Sequence, residues 1–158
     1  MITKKIAIIG STAYNLYNFR KEFIMACLGQ GHQVYAFVSE YDDQWLDIIK
    51  NIGAIPITYQ LSRGGVNPLY DLYSFFQILR KIKEIQPDIV FSYSTKPVIY
   101  ATLAASKLRV PCIYGMIEGL GSPFTIHKNG QNIKTKLIRF IQVTLYRLAF
   151  PYLDKIIF

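Results

Sequence analysis

Short apolar runs alternate with longer amphipathic segments along the whole chain. The runs at 6–10, 33–39, 54–59, 88–92, 112–117 and 155–158 are nearly continuous in aliphatic and aromatic residues, with Ile and Val prominent. A strand with one wet face alternates apolar and polar positions. Unbroken β-branched runs of this length therefore predict strands covered on both sides, as in a parallel sheet. The segments 16–29, 42–51, 68–85, 97–108 and 133–150 carry the longer mixed pattern of helices. Pro68 and Pro97 suit a first helical turn, and Gly53 suits a helix stop. Strict alternation with short connections predicts right-handed crossovers and an α/β fold, an open, doubly wound parallel sheet with helices on both faces. No linker, repeat or low-complexity stretch divides the chain, so residues 1–158 read as one domain; the polar stretch 122–131 reads as a mobile loop.

Composition agrees with a packed domain. Of 158 residues, 51% are hydrophobic and 18% charged, enough apolar surface to bury a core and too much for a disordered tail. Cys27 and Cys112 stand far apart, outside any spaced pair with Cys or His, which argues against a disulfide framework or a zinc site. No stretch of about 18 residues is apolar and uncharged, and the opening run is too short for a secretory leader. A cytosolic protein is the expectation. The net charge of +8 directs attention to a phosphate-bearing ligand or an anionic membrane surface. Nucleic acid is not expected, because no binding motif supports it. The chain stops at 154–158 as a last strand begins, which leads us to expect a truncated larger protein.

In such a sheet ligands bind beyond the carboxyl ends of the strands. After the first strand, Gly10-Ser11-Thr12-Ala13-Tyr14-Asn15 lacks both the GxGxxG fingerprint and the Gly-Lys-Ser/Thr ending of a P-loop. A small-residue turn feeding a helix N-terminus can still offer backbone N–H groups to a phosphate; the plain alternative is an ordinary tight turn. After the third strand, Arg63 sits beside Gly64 and Gly65, either as a clamp for carboxylate or phosphate or as a solvated surface charge. After the fourth, Ser94, Thr95 and Lys96 open a helix, with a hydroxyl N-cap and a solvated lysine as the bland reading. After the fifth comes Glu118-Gly119-Leu120-Gly121. A carboxylate between an apolar strand and two glycines suits acid, base or orienting chemistry, and equally suits capping of the turn; Glu118 is the strongest single candidate.

Between Glu118 and Asp154 there is no acidic residue, whereas Lys128, Lys134, Lys136, Arg139 and Arg147 fall there. The last helix is therefore expected to carry one apolar and one basic face, either docking on anionic lipid or lying as an ordinary surface helix. His32 and His127 form no pair at ligand spacing, and His32 reads as a turn residue before the second strand. The twelve tyrosines are scattered, as core and cleft walls are.

Three elements in combination carry a resemblance: the opening strand with Tyr14 to Arg20, the Ser62-Arg63…Asn67-Pro68 segment, and Glu118-Gly119-Leu120-Gly121-Ser122. Together they resemble the N-terminal domain of GT-B-fold glycosyltransferases of family 4. The nearest likeness is to bacterial enzymes that add N-acetylgalactosamine or a similar sugar to undecaprenyl-diphosphate-linked saccharides in glycoprotein, capsule or O-antigen assembly. The resemblance implies a Rossmann-like half of a two-domain enzyme, the nucleotide-sugar-binding C-terminal domain lying outside this chain. It implies retaining transfer from a UDP-linked sugar to a lipid-linked acceptor, with no metal or other cofactor, at the cytoplasmic face of the plasma membrane.

By position, the resemblance places Gly10, Ser11, Thr12, Ala13 and Arg20 on the donor diphosphate side, and Arg63, Asn67, Lys96, Gly119 and Gly121 around the acceptor. Glu118 would stand at the reaction centre, and Lys128, Lys134, Lys136 and Arg139 would face the membrane. Two other readings stand beside this one: a non-catalytic acceptor-binding and membrane-docking subunit of a two-chain transferase, and an unrelated nucleotide-dependent Rossmann enzyme with Glu40 near the ribose position.

Overall fold

In a computed structural model, residues 2–39, 42–62, 67–125 and 132–158 are described. They form strands β1 (Lys5–Ile9), β2 (Gln33–Val38), β3 (Ile55–Thr58), β4 (Ile89–Tyr93), β5 (Cys112–Met116) and β6 (Lys155–Ile157). Between them run helices α1 (Ala13–Gly29), α2 (Asp43–Asn51), α3 (Pro68–Ile85), α4 (Thr95–Lys107) and α5 (Ile133–Ala149). The strands build one parallel sheet in the order β3-β2-β1-β4-β5-β6. This is the α/β, Rossmann-like architecture that the alternation predicts.

Successive side chains of a strand point to opposite faces, and in β1, β2 and β4 both faces are largely covered, whereas the α1 side of β5 and β6 is partly open. In β1, Ile6 and Ile8 pack with Leu16, Ile24 and Ile49 of α1 and α2, while Ala7 and Ile9 pack with Ile78, Val98, Ala101 and Tyr146 of α3, α4 and α5. Double coverage explains why the strand runs lack polar alternation. It also leaves the strand ends and the turns beyond them as the places where polar groups gather.

Two helices begin earlier than the pattern predicts. α1 starts at Ala13 rather than residue 16, because Thr12 Oγ1 accepts a hydrogen bond from Asn15 N at 3.0 Å and caps the first turn. α4 starts at Thr95 rather than residue 97; Pro97 occupies its third position, still within the turn whose N–H groups have no partner inside the helix. α3 begins at Pro68 as expected, with Asn67 Oδ1 capping Tyr70 N at 3.2 Å. Gly53, at φ +91°, follows the end of α2. Within the expected loop at 122–131, Ser122–Phe124 form a short 3-10 turn, and residues 126–131 lie outside the described residues.

Gly10 is the tightest point. A Cβ built there would fall 2.0 Å from the Tyr93 ring, and its carbonyl accepts the Tyr59 hydroxyl at 2.6 Å. We expect Gly10→Ala to lower the free energy of urea unfolding by about 3 kcal/mol or more, through overpacking against a buried ring. Gly29→Ala, at the end of α1 with nothing within 4 Å of the new methyl, should be neutral or stabilise by up to about 1 kcal/mol. Equal effects of the two substitutions would contradict this assignment.

Candidate functional site

The sheet order reverses direction between β1 and β4, and the crevice at that point is where open α/β sheets take ligands. A cleft of about 310 Å³ lies there. Ser11, Thr12 and Asn15 line it from the turn after β1, Leu61 and Ser62 from the segment after β3, and Ser94, Thr95, Lys96 and Pro97 from the turn after β4. The N-termini of α1 and α4 both open on it, so backbone N–H groups and the positive ends of two helices converge with hydroxyls and one ammonium. A larger hollow, about 630 Å³, lies on the sheet face beside α1 between Phe19, Phe23, Phe91 and Met116. That hollow is mainly bare apolar surface, and the polar groups that chemistry requires converge in the smaller cleft.

The turn after β1 is held from beneath. Gly10 N donates to Phe37 O at 3.2 Å, Ser39 N donates to Ser11 O at 3.1 Å, and Ser39 Oγ donates to the same carbonyl. Thr12 is committed to capping α1, and Ala13 is buried beneath the turn. Among the residues assigned to the donor side, Ser11 and Thr12 therefore face the cleft.

Arg20 is placed elsewhere. It lies about two turns into α1, faces the sheet, and is buried. Its guanidinium pairs with Glu118 Oε1, sits 4.8 Å over the Tyr93 ring and donates to Phe19 O at 2.8 Å. The helix phase at residue 20 turns the side chain toward the end of β5, where the Tyr93 ring stands between it and Gly10.

Glu118 follows β5, and both of its oxygens are engaged, Oε1 by Arg20 and Oε2 by Ser94 Oγ at 3.0 Å. Ser94 lines the cleft, so the exposed carboxylate stands one hydrogen bond from the cleft wall. Ser94 occupies the N-cap position of α4 but does not cap it. Its backbone, at φ 70° and ψ 153°, lies where L residues are strained. The hydroxyl cap expected from sequence is replaced by a strained residue turned toward Glu118.

Lys96 is neither solvated nor free. Its Nζ donates to Asp71 Oδ1 at 2.7 Å, with both side chains mostly buried. Asp71 Oδ2 accepts Asn67 N at 3.3 Å, and Asp71 is also hydrogen-bonded to Tyr100. Burial, reinforced by the Asp71 charge and this hydrogen bond, pushes the Tyr100 phenol well above the ordinary tyrosine range. The sequence reading missed Asp71 and Tyr100. The one signal for Asp71 is an acid inside an otherwise apolar and aromatic helix start, which reads as dipole compensation until Lys96 is seen beside it.

The remaining candidates are dispersed. Asn67 caps α3, Gly119 has open space around it, and Gly121 turns the chain at φ +81°. Arg63, Glu40, His127 and Lys128 lie outside the described residues. On α5, Lys134, Lys136 and Arg139 are exposed, but so are Ile133, Leu137 and Phe140. The expected separation into one apolar and one basic face is thus corrected. α5 packs inward chiefly through Gln142, Tyr146 and Ala149, because α4 meets only a narrow stripe of it, and cations and large apolar groups share its outer face. Among the described residues no group of three or more His, Cys, Asp or Glu is arranged to hold a metal ion. No helix among them is long and apolar enough to cross a membrane.

The family model described as "Glycosyl transferase 4-like" matches residues 5–158. The chain belongs to the glycosyl transferase 4-like family. A curated relative in Campylobacter jejuni, N,N'-diacetylbacillosaminyl-diphospho-undecaprenol alpha-1,3-N-acetylgalactosaminyltransferase, is 28% identical over 154 residues. That match covers 98% of this chain and 39% of the relative, so the chain spans about two fifths of that enzyme's length. Among solved structures, a putative UDP-N-acetylglucosamine 2-epimerase from Listeria monocytogenes aligns with TM-score 0.63 at 17% identity, over 99% of this chain and 39% of that one. The calicheamicin glycosyltransferase CalG4 aligns with TM-score 0.59 at 12% identity, over 96% and 43%. Epimerases and transferases share this fold, so the fold alone does not choose between them; the family match does.

Two measurements test the site's internal construction. Ser94→Ala loses the hydroxyl to Glu118 and keeps the strained backbone, whereas Ser94→Gly loses the same bond and relieves the strain. The glycine variant should be the more stable by about 1–3 kcal/mol in urea unfolding, and equal stabilities would refute strain at this turn. Tyr100 gives a pH dependence. Its unfolded-state value is about 10, and the folded value lies higher, so its contribution is complete below about pH 10 and is lost as pH climbs from there toward the folded value. Wild type should therefore lose stability more steeply than Tyr100→Phe above about pH 10, and parallel curves would exclude the buried Asp71 contact.

Proposed function

We propose that this chain is the acceptor-side domain of a retaining transferase that moves a sugar from a UDP-linked donor to a polyprenyl-diphosphate-linked saccharide. One observation carries the reading: two helix N-termini, Lys96 and the hydroxyls of Ser11, Thr12, Ser62 and Thr95 converge on one cleft at the switch point of a glycosyl transferase 4-like domain. The relative's name, with an undecaprenol diphosphate in its substrate and N-acetylgalactosamine as the transferred sugar, supports the choice of acceptor and of sugar.

In the reaction the bond from the sugar's anomeric carbon to the donor diphosphate breaks, the acceptor hydroxyl bonds to that carbon from the same face, and its proton passes to an oxygen of the departing diphosphate. Negative charge gathers on the departing diphosphate, and cationic and N–H groups that face it lower the barrier. In this reading the nucleotide is held by a domain outside this chain, and no metal takes part. On this side of the cleft, the α1 and α4 N-termini offer N–H groups to that charge, and Lys96 offers the acceptor's diphosphate the ammonium hydrogens that Asp71 leaves free. A carboxylate has about four lone-pair sites; Arg20 and Ser94 use part of that capacity at Glu118. Glu118 thus acts as an orienting acceptor for a sugar hydroxyl, held rigid by Arg20, rather than as a mobile base. Exposed cations beside apolar groups on α5 suit docking on the anionic cytoplasmic leaflet.

The full protein, assayed with UDP-N-acetylgalactosamine and a lipid-linked acceptor in anionic vesicles, should transfer sugar equally with and without EDTA. Lys96→Ala should lower kcat/KM about 100-fold both in vesicles and in detergent. The triple change Lys134→Ala, Lys136→Ala, Arg139→Ala should weaken vesicle binding by about 100-fold, at roughly 1 kcal/mol per charge, and leave detergent activity intact. Full activity of Lys96→Ala would remove the cleft from the mechanism.

A further inference from the structure

A second hollow adjoins the site on the side of α3, α4 and α5. A groove of about 410 Å³ runs between α3 and α5 with α4 as its floor. Leu72 and Phe75 form one wall, Leu103 the floor, and Ile141 and Leu145 the other wall. At its inner end stand Asp71 and Tyr100, which also line a cavity of about 60 Å³ together with Thr95 and Lys96. Thr95 and Lys96 in turn line the switch-point cleft. The three hollows therefore share walls, and the Lys96–Asp71 pair stands between the cleft and the apolar trough.

The groove's outer margins are unusual for a water-facing surface. Leu69, Tyr73 and Phe76 on α3 and Leu137 on α5 are all exposed, with Lys134 on the same side of α5. Contiguous apolar surface of this kind marks a binding face. α5 carries cations and no acidic residue, so a second copy meeting it α5 to α5 would offer it no opposite charge. The chemistry instead fits an apolar chain whose head carries phosphate: the chain in the groove, the phosphate at Lys96 and the margins on anionic lipid.

We infer that the α3–α5 groove holds the isoprenoid segment next to the phosphate of the lipid-linked acceptor, with Lys96 at the junction of lipid and head group. The inference rests on the proposed transferase reading for the identity of the lipid. The groove's volume is that of a small-molecule pocket, at the lower end of about 300–1,000 Å³, so only the first part of the chain enters and the remainder stays in the bilayer.

The test is calorimetric titration of the full protein with dimethylallyl, geranyl and farnesyl diphosphate in detergent-free buffer. Taking about two methylene equivalents of each added isoprene unit out of water tightens binding about tenfold per unit, and that rise is the expected result. Leu72→Glu, at a half-exposed wall position, should reduce the rise to less than about twofold per unit. Met25→Glu, exposed on α1 against the opposite face of the sheet, should leave it unchanged. Equal affinity across the series, a rise that survives Leu72→Glu, or a rise that tracks dimerisation in the ultracentrifuge would each overturn the inference. Because binding is read without sugar transfer, the two readings fail separately. Chain-length-dependent binding in a protein that transfers no sugar would keep the groove and defeat the transferase reading, and the reverse pattern would do the opposite.

Discussion

The contact between Gly10 and the Tyr93 ring holds the site together. The end of β1 meets the end of β4 there with no room for a side chain, while the Tyr59 hydroxyl fastens the Gly10 carbonyl from the β3 side. This close approach brings the turn feeding α1 beside the turn feeding α4, so that two helix N-termini share one cleft. The same Tyr93 ring carries the Arg20 guanidinium on its face, and Arg20 fixes Glu118 at the end of β5. One ring thus couples three strand ends, and a change there would move every polar group around the cleft.

Charge in this site is managed in pairs. Arg20 with Glu118 and Lys96 with Asp71 bring together partners far apart in sequence. Partly buried ions are costly unless paired, so each pair permits a charge to stand at the cleft edge without unfolding pressure. Pairing also fixes geometry. Lys96 is aimed by Asp71, which is itself held by Tyr100 and the Asn67 backbone, and Glu118 is aimed by Arg20 and Ser94. Such preorganisation is what an electrostatic catalyst requires, because the groups need not reorient as charge develops.

The sheet was legible in the sequence because strands buried on both faces leave an unmistakable apolar signature, and all six runs coincide with strands to within a residue or two. Helix starts were less legible. Thr12 caps a turn whose next residues, Tyr14 and Asn15, break the apolar rhythm, and Pro97 reads as a first residue although the helix opens two residues earlier. The loops bearing the site could be located, since topology dictates where ligands bind. The partners within them could not, because Arg20 with Glu118 and Lys96 with Asp71 are long-range pairings that no local pattern encodes. α5 shows the same limit: its cations were plain in the sequence, but which of its apolar residues stay exposed depends on how narrow a stripe α4 covers.

The proposed transfer requires that the crevice between the β1 and β4 turns receive a diphosphate group. Amide hydrogen exchange of the full protein with and without farnesyl diphosphate tests it most directly. The account predicts slowed exchange at residues 11–15 and 95–98, the first turns of α1 and α4. Protection confined to the hollow beside α1, around Phe19, Phe23 and Met116, with the two turns unchanged, would contradict it.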